Sequence, residues 1–553
     1  MTDRMPERAT TDYAVLSAVE IERLRPFGSV RDTRTGEPLF GAGDKDPSFF
    51  VVLSGTVDIQ SAGPSGPTLI TTHVAGQFLG ELNLLIGQRP FVSAIVAEPG
   101  SVLAINLPVF REIMRTMPDL ADIVFREFVA RRTHVHQGSG MNAIQIIGTR
   151  FSSRAMALRV FASRSQVPHM WIDLDELDEP AAFLEKMEVD PARIPVVITP
   201  LTRLENPSTV EFANLLGLAH SAPPDHVSDV AIVGLGPAGL AAAIVSVAEG
   251  LDAVCLDAVA VGGQAAASAR IENYLGFPNG VSGNHLIAAA ATQAQRLGAR
   301  LASPCEVVGL RTVDDNKLID LADGTEIACR AVVIASGARY RRLDVDDLAR
   351  FEGAGVYYAT TDIETRTCRG QHVIVVGGGN SAGQAALSLA KTCASVALVV
   401  RRGNLTDTMS HYLIARIERD PRIRFMSNRF VCALSGAQSV ESAVVENTAT
   451  GERETMPCRS VFCFIGAVAS TDWLGGKVAL DRNGFVLTGR DLPAEVQAAA
   501  AFSDRAPLPF ETSIPGVFAV GDVRANSPKR VAAAVGEGSA VVGSIFQAIG
   551  PQL

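Results

Sequence analysis

The stretch 229–257, DVAIVGLGPAGLAAAIVSVAEGLDAVCLD, limits the possible folds more than any other part of this 553-residue chain. An apolar run, VAIVG, enters Gly234-x-Gly236-x-x-Gly239, then an alanine-rich helical segment, then a second apolar run, AVCLD. A strand, a tight turn, a helix and a parallel strand are the parts of a dinucleotide-binding unit. Gly234 permits the turn, Gly236 lets the backbone approach a pyrophosphate, and Gly239 lets helix and strand pack closely. Free N–H groups at the helix start attract phosphate. Asp257, 23 residues beyond Gly234, ends the second strand, where it can accept hydrogen bonds from an adenosine ribose.

The design occurs again in 372–402, HVIVVGGGNSAGQAALSLAKTCASVALVVRR. Here the turn is Gly377-Gly378-Gly379-Asn380-Ser381, and the second strand ends in Arg401-Arg402 rather than an acid. A carboxylate would repel a 2′-phosphate, whereas guanidinium groups pair with it, so the site is expected to prefer NADPH to NADH. The plainer reading of both arginines is a solvated strand end. Two dinucleotide sites in one chain imply hydride transfer between a nicotinamide and a second cofactor, most simply a flavin.

The length implies three or four domains, at about 100–200 residues each. With 47% hydrophobic and 20% charged residues the composition is that of a soluble globular protein. A net charge of −10 argues against general nucleic-acid binding. The polar N-terminus and the lack of an uninterrupted apolar run near about 18 residues predict neither signal peptide nor membrane span. None of the eight cysteines has Cys-x-x-C spacing and the first 254 residues have none, which predicts a reducing cytoplasm and no metal site.

Before the first glycine turn, short apolar runs such as FFVVLSGTVDI and VSAIVAE alternate with turn residues and predict a β-rich domain. PVFREIMRTMPDLADIVFREFVARR has helical periodicity. AIQIIG, HMWIDL and IPVVIT then read as strands, and SRAMALRVFASRS, PAAFLEKM and STVEFANLLGL as helices. The polar segment 221–229 reads as a linker.

Residues 229–553 resemble low-molecular-weight thioredoxin reductases in four ordered motifs. Besides the first glycine turn, GGQAAASARIENYLGFP is similar to that family's flavin loop, VVIASGARY to its second flavin strand and PGVFAVGDV to its C-terminal flavin motif. The resemblance implies an FAD held by Gly234, Gly236, Ala238, Gly239, Asp257, Gly263, Gln264, Asn273, Ser336, Gly337, Gly521, Asp522, Arg530 and Val531. It places NADPH on Gly377, Gly379, Asn380, Ser381, Arg401 and Arg402. It also implies a split FAD-binding domain, 229–345 with 470–553, and an inserted NADPH-binding domain, 346–469. Two departures stand out. The family's redox Cys-x-x-C is replaced by Ala359, Thr360, Thr361 and Asp362, which cannot form a disulfide. Lys529-Arg530 stands where the family has Arg-Gln, so Arg530 either brings a cation close to the flavin ring or forms a salt bridge.

Residues 14–138 resemble cyclic-nucleotide-binding domains through Gly36, GAGD at 41–44, VVLSGTVDI and FLGELNLL. Gly80 and Glu81 match the phosphate-binding cassette, but its arginine falls at Pro90, with Arg89 one residue early. A cyclic nucleotide is therefore expected to bind weakly or not at all. Residues 142–220 resemble a thioredoxin or glutaredoxin fold, with Ile194-Pro195 at its cis-proline place and Ser152 and Ser153 instead of redox cysteines. The alternative for this segment is a small α/β docking module.

The expected protein is a multidomain α/β flavoprotein: a β-barrel-like domain with helices, a small α/β domain and two Rossmann-like dinucleotide folds. It is expected to be a cytoplasmic homodimer that moves hydride from NADPH to FAD. Electrons then pass to an unidentified acceptor, a small molecule or a redox protein. One alternative is a thioredoxin-disulfide reductase using relocated cysteines, such as Cys368 or Cys458 with Cys463, or direct flavin contact. The other is a ligand- or redox-sensing regulatory flavoprotein.

Overall fold

The computed structural model describes residues 13–45, 47–61, 67–80, 84, 88–137, 144–150, 152–165, 167–199, 202–218, 226–268, 270–360, 362–498, 502 and 505–550. The chain forms two compact units. One comprises Met1–Gly148, Gln166–Ala219 and Gln295–Arg300; the other comprises Thr149–Ser165, His220–Ala294 and Leu301–Leu553.

In the first unit, the long strands Phe49–Ser61 and Val92–Ile105 pair antiparallel from Phe49↔Ile105 to Ser61↔Val92. Much of their burial alternates along the chain, because successive side chains point to opposite faces of a sheet. Helices Leu107–Thr116 and Pro118–Gln137 cover the inner face, and Phe49 stacks on Phe110 with ring centroids 4.4 Å apart. Asn106 caps the first of these helices by accepting the Val109 N–H. A second sheet has the order Arg203–Glu205, Val196–Ile198, Gln145–Gly148, Met170–Asp173. Its last two strands are parallel and the other pairs antiparallel. Ile147, Leu174, Leu184, Val189 and Val196 form its core, and the Ile194–Pro195 peptide is cis. The strand Arg203–Glu205 has no apolar alternation to announce it; only pairing with Val196–Ile198 makes it one.

The second unit is built on parallel strands. Val227–Val233 lies between Ala253–Leu256 and Glu326–Ile334, with Val517–Ala519 beyond, all parallel. Six of the seven residues of Val227–Val233 are buried, as expected for a strand covered on both faces. A further parallel sheet has the order Val356–Tyr357, Ser460–Cys463, His372–Val376, Ser395–Val400, Ile423–Ser427.

The helix Ser153–Arg164, expected with 142–220, groups with this second unit. Met156 joins the apolar cluster of Tyr357, Cys368 and Phe462, and Val160 packs against it. Gly353, at φ +78°, sits so close that an added Cβ would lie 3.1 Å from the Ser153 Cα.

The helix Val531–Ile549 is long and apolar enough to cross a membrane, though Glu537 interrupts its apolar run. In the fold it packs along the helix Pro237–Ala248: a Cβ on Gly538 would lie 2.1 Å from the Ala238 carbonyl oxygen. Val541, Val542 and Ile545 are buried.

Candidate active site

The first glycine turn is held by close backbone approach. Gly234 has φ +105°, and a Cβ there would lie 2.3 Å from the Ala335 carbonyl oxygen. A Cβ on Gly239 would lie 1.8 Å from the Gly234 carbonyl oxygen. Gly236 is different: its nearest neighbour would be the Gly263 Cα at 3.9 Å, so this side of the turn is open. Gly236 caps the helix Pro237–Ala248 with no side-chain hydrogen bond, and Pro at the helix start needs no N–H partner. Ala238 is the buried second residue of that helix.

Asp257 is half-buried and accepts hydrogen bonds from the backbone N–H groups of Leu235 (2.9 Å), Val259 (3.0 Å) and Ala260 (3.1 Å). Burial pushes its carboxyl above the usual range, while those N–H groups and the Arg164 charge oppose the shift. A carboxylate has about four acceptor sites, so one stays open for a ribose hydroxyl.

The other expected flavin residues border the same region. Gly263 has φ +53° and an added Cβ would lie 3.1 Å from the Gly236 Cα; Gln264 is exposed beside it. Asn273 lies on an exposed bend. The Ser336 hydroxyl donates to the Ser470 carbonyl at 2.8 Å, and Gly337 at φ +68° has nothing within 4 Å of a Cβ position. The Gly521 N–H donates to Glu537 Oε2 at 2.7 Å, and Glu537 is paired with Arg524 at 2.6 Å. Burial raises the Asp522 carboxyl against the opposing charge of Lys529. Arg530 is exposed at the start of the helix that Val531 opens, with no side-chain ion pair among the described residues. The open face at Gly236, the uncapped helix start and the remaining acceptor site on Asp257 fit an adenine dinucleotide such as FAD.

At the second turn, Gly377 has φ +136° and a Cβ would meet the Phe464 carbonyl oxygen at 2.3 Å. Gly379 caps the helix Asn380–Leu389 without a side-chain bond. Asn380 Oδ1 accepts the Ser410 N–H at 2.7 Å. Arg401 and Arg402 stand exposed just after Ser395–Val400, their side chains unpaired among the described residues.

A small open cleft lies beside Ala359 and Thr360. Gln264, Ala267, Ser268 and Arg270 line it from the flavin-loop side; Tyr340, Tyr358, Ala359, Thr360, Ser381, Gln384, Ala385 and Phe464 line it from the other. The Thr360 N–H reaches the Ala267 carbonyl at 3.4 Å. Tyr340 meets Phe464 edge-on at 5.2 Å; burial raises its phenol, and a hydrogen bond with Ser381 opposes that. The Tyr358 hydroxyl donates to Glu352 at 2.8 Å. Thr361 lies outside the described residues, and Asp362 opens the helix Asp362–Thr367. Tyr358 directly precedes Ala359, so adjacency to the altered motif was a usable signal; Gln384 and Phe464 carried none.

No sulfur lines the cleft. All eight cysteines are free and seven are buried. Burial pushes the thiols of Cys305, Cys329, Cys368 and Cys458 up to about 12, and raises Cys393 and Cys463 as well. Cys368 Sγ lies 3.0 Å from Ser460 Oγ, and the Cys393 thiol donates to the Cys368 carbonyl at 3.3 Å.

In the first unit, Gly80 at φ +122° accepts a hydrogen bond on its carbonyl from Arg131 at 2.8 Å. Arg131 also donates to the Phe78 carbonyl and pairs with Glu127 at 2.8 Å. The Arg89 N–H is spent on the Leu216 carbonyl at 3.0 Å. Pro90 and Phe91 are buried, and Glu81 lies outside the described residues.

Two glycine turns on parallel sheets, with an open helix start at each, define a flavin- and nicotinamide-nucleotide-dependent oxidoreductase. Residues 228–538, more than half of the chain, match the family model of pyridine nucleotide-disulphide oxidoreductases, and the chain belongs to that family. Residues 30–117 match the cyclic nucleotide-binding domain. The chain is 31% identical over 325 residues to the bifunctional thioredoxin reductase/thioredoxin of Mycobacterium leprae (strain TN), covering 58% of this chain and 66% of that protein. It is 30% identical over 325 residues to the thioredoxin reductase of Peptoclostridium acidaminophilum, covering 57% and 95%. Among solved structures, the thioredoxin reductase of Lactococcus lactis in the FR conformation matches with a TM-score of 0.52 and 27% identity over 58% of this chain and 99% of that one. That of T. acidophilum matches with 0.52 and 26% over the same shares. The protein is thus a flavoprotein oxidoreductase of a family that uses FAD and NADPH.

Proposed function

We propose that this protein oxidises NADPH and delivers electrons to a small planar acceptor such as a quinone, with no protein dithiol in between. The observation that carries this reading is the cleft itself: Ala359 and Thr360 face Gln264 and Ala267 across it, and no cysteine lines it. When bound, FAD supplies a two-electron carrier that takes hydride from NADPH and passes reducing equivalents on. The chain's own contribution is placement. The two uncapped helix starts attract pyrophosphates, and Asp257 orients a ribose. Tyr340 and Phe464 offer aromatic walls to a planar acceptor, while Gln264, Ser381 and Gln384 offer neutral hydrogen-bond partners. Arg530, exposed and unpaired among the described residues, is available as a cation beside the cofactor.

Steady-state NADPH oxidation against a quinone, oxygen, a ferredoxin and thioredoxin disulfide tests this. The quinone is expected to turn over fastest. Thioredoxin reduction that outpaces it would reject the reading. Replacing all eight cysteines is expected to change the rate of flavin reduction by NADPH only a few-fold, measured by stopped flow on a variant whose melting curve shows it folded. Buried thiols pushed up to about 12 hold almost no thiolate at neutral pH. A large loss of flavin reduction in that folded variant would revive the relocated-dithiol alternative.

The matched cyclic nucleotide-binding domain supports a regulatory role for the first unit. Cyclic AMP is nevertheless expected to bind more weakly than micromolar. Pro90 offers neither charge nor N–H, and the Arg89 backbone is already tied to Leu216. Without one guanidinium–phosphate hydrogen bond, binding is weaker by roughly 1.5–3 kcal/mol, about ten- to a hundredfold in affinity. Calorimetry on the full chain decides: a sub-micromolar constant abolished by Glu81→Ala would show that the cassette works. For 142–220, the strand order supports the thioredoxin-like reading, as a redox-inert module. A homodimer in the cytoplasm completes the proposal, the latter supported by eight free thiols.

A further inference from the structure

The polar side chains around the cleft beside Ala359 fall into two sets. Some are already engaged: the Tyr358 hydroxyl donates to Glu352 at 2.8 Å, and Arg270 pairs with Glu272 at 3.1 Å and donates to the Asn279 carbonyl. Gln264, Ser268, Thr360 and Gln384 are not, for their side chains make no hydrogen bond among the described residues. Thr360 differs from the other three in its burial. It is 5% exposed, and its N–H, 3.4 Å from the Ala267 carbonyl, holds it against the flavin loop. Other buried hydroxyls without a partner, those of Thr71 and Ser246, are sealed from solvent. The Thr360 hydroxyl is not sealed, because the cleft opens onto it.

We infer that the Thr360 hydroxyl holds the electron acceptor by a carbonyl oxygen and is a specificity residue for quinones. A hydroxyl taken out of water without a partner is costly, so a ligand oxygen that pairs with it gains more here than on an open surface. The four unengaged side chains are hydroxyls and amides, each able to donate and to accept. A quinone oxygen only accepts hydrogen bonds, whereas a hydroquinone hydroxyl also donates them. The same four side chains therefore suit substrate and product alike. The balance is NADPH + H⁺ + quinone → NADP⁺ + hydroquinone. The hydride carries both electrons and one hydrogen, the second proton comes from solvent through the open cleft, and Thr360 keeps its own. Its backbone is fixed by the Ala267 carbonyl, so the hydroxyl is presented to the ligand with little ordering left to do.

The inference rests on the reading of this cleft as the acceptor's place. Holoprotein of the full chain is assayed with NADPH and menadione, and separately with ferricyanide, which takes single electrons and has no carbonyl to hold. Thr360→Val, which keeps the shape and removes the hydroxyl, is expected to raise KM for menadione about three- to tenfold, the loss of one neutral hydrogen bond. Thr360→Ser is expected to restore most of the wild-type value. Flavin reduction by NADPH in stopped flow and ferricyanide turnover are expected to match the wild type in both variants. An unchanged KM for menadione in the valine variant would overturn the role of Thr360 and leave the quinone reading standing. A serine variant as poor as the valine variant, or equal losses with menadione and ferricyanide, would also overturn it, as marks of packing rather than of a hydrogen bond. A wild type that does not reduce menadione removes the acceptor reading and this inference with it.

Discussion

Gly239→Ala is expected to yield a colourless protein, whereas the wild type carries one FAD per chain. The added Cβ would lie 1.8 Å from the Gly234 carbonyl oxygen. Both partners are backbone, so no side chain can swing aside; the helix Pro237–Ala248 must move away from the turn. Overpacking of this kind costs roughly 1–3 kcal/mol in a core. Here it also misaligns the N–H groups that face the pyrophosphate. A charge-assisted hydrogen bond to phosphate is worth roughly 1.5–3 kcal/mol, so breaking two of them weakens FAD binding by about a hundredfold or more. The second turn is built on a separate sheet, so NADP⁺ affinity is expected to survive. Denaturing release and chromatography measure the flavin, and calorimetry the NADP⁺. A yellow variant with full FAD content would show that the turn does not depend on this approach. Recovery of FMN instead of FAD from the wild type would reject the dinucleotide site.

The wild type is expected to use NADPH with a kcat/KM about tenfold to a thousandfold above NADH, and Arg401→Ala with Arg402→Ala to close most of that gap. Two guanidinium groups on a 2′-phosphate would reach the upper end if both were buried. Both side chains are exposed, so water and salt screen them and the lower part of the range is expected. Raising ionic strength is then expected to narrow the preference in the wild type but hardly in the double variant. The change belongs in KM for NADPH, with NADH kinetics little altered, because only NADPH carries the 2′-phosphate. Equal kcat/KM for the two nucleotides in the wild type would leave Arg401 and Arg402 as a solvated strand end.

Much of this protein was legible because its chemistry is local. A glycine at positive φ, the acid or arginine that ends the following strand and the apolar run of a doubly covered strand each depend on neighbours within about thirty residues. The two turns and Asp257 could therefore be located by position along the chain. The strand Arg203–Glu205 could not, since short polar strands exist only through their partners. The apolar helix Val531–Ile549 shows the same limit. Its composition suits lipid or protein equally, and only packing against Pro237–Ala248 reveals its surroundings.

What the sequence determined by itself was the class of chemistry: two glycine turns of dinucleotide-binding type, and eight cysteines of which no pair has Cys-x-x-C spacing. Tertiary structure alone decided what surrounds Ala359 and Thr360. Tyr340, Gln384 and Phe464 come from three separate segments and meet Ala359 only after the sheets are assembled. No periodicity or motif links such residues, because the meeting of distant segments is selected by the summed burial of whole elements, here the helix carrying Met156 into the core around Tyr357.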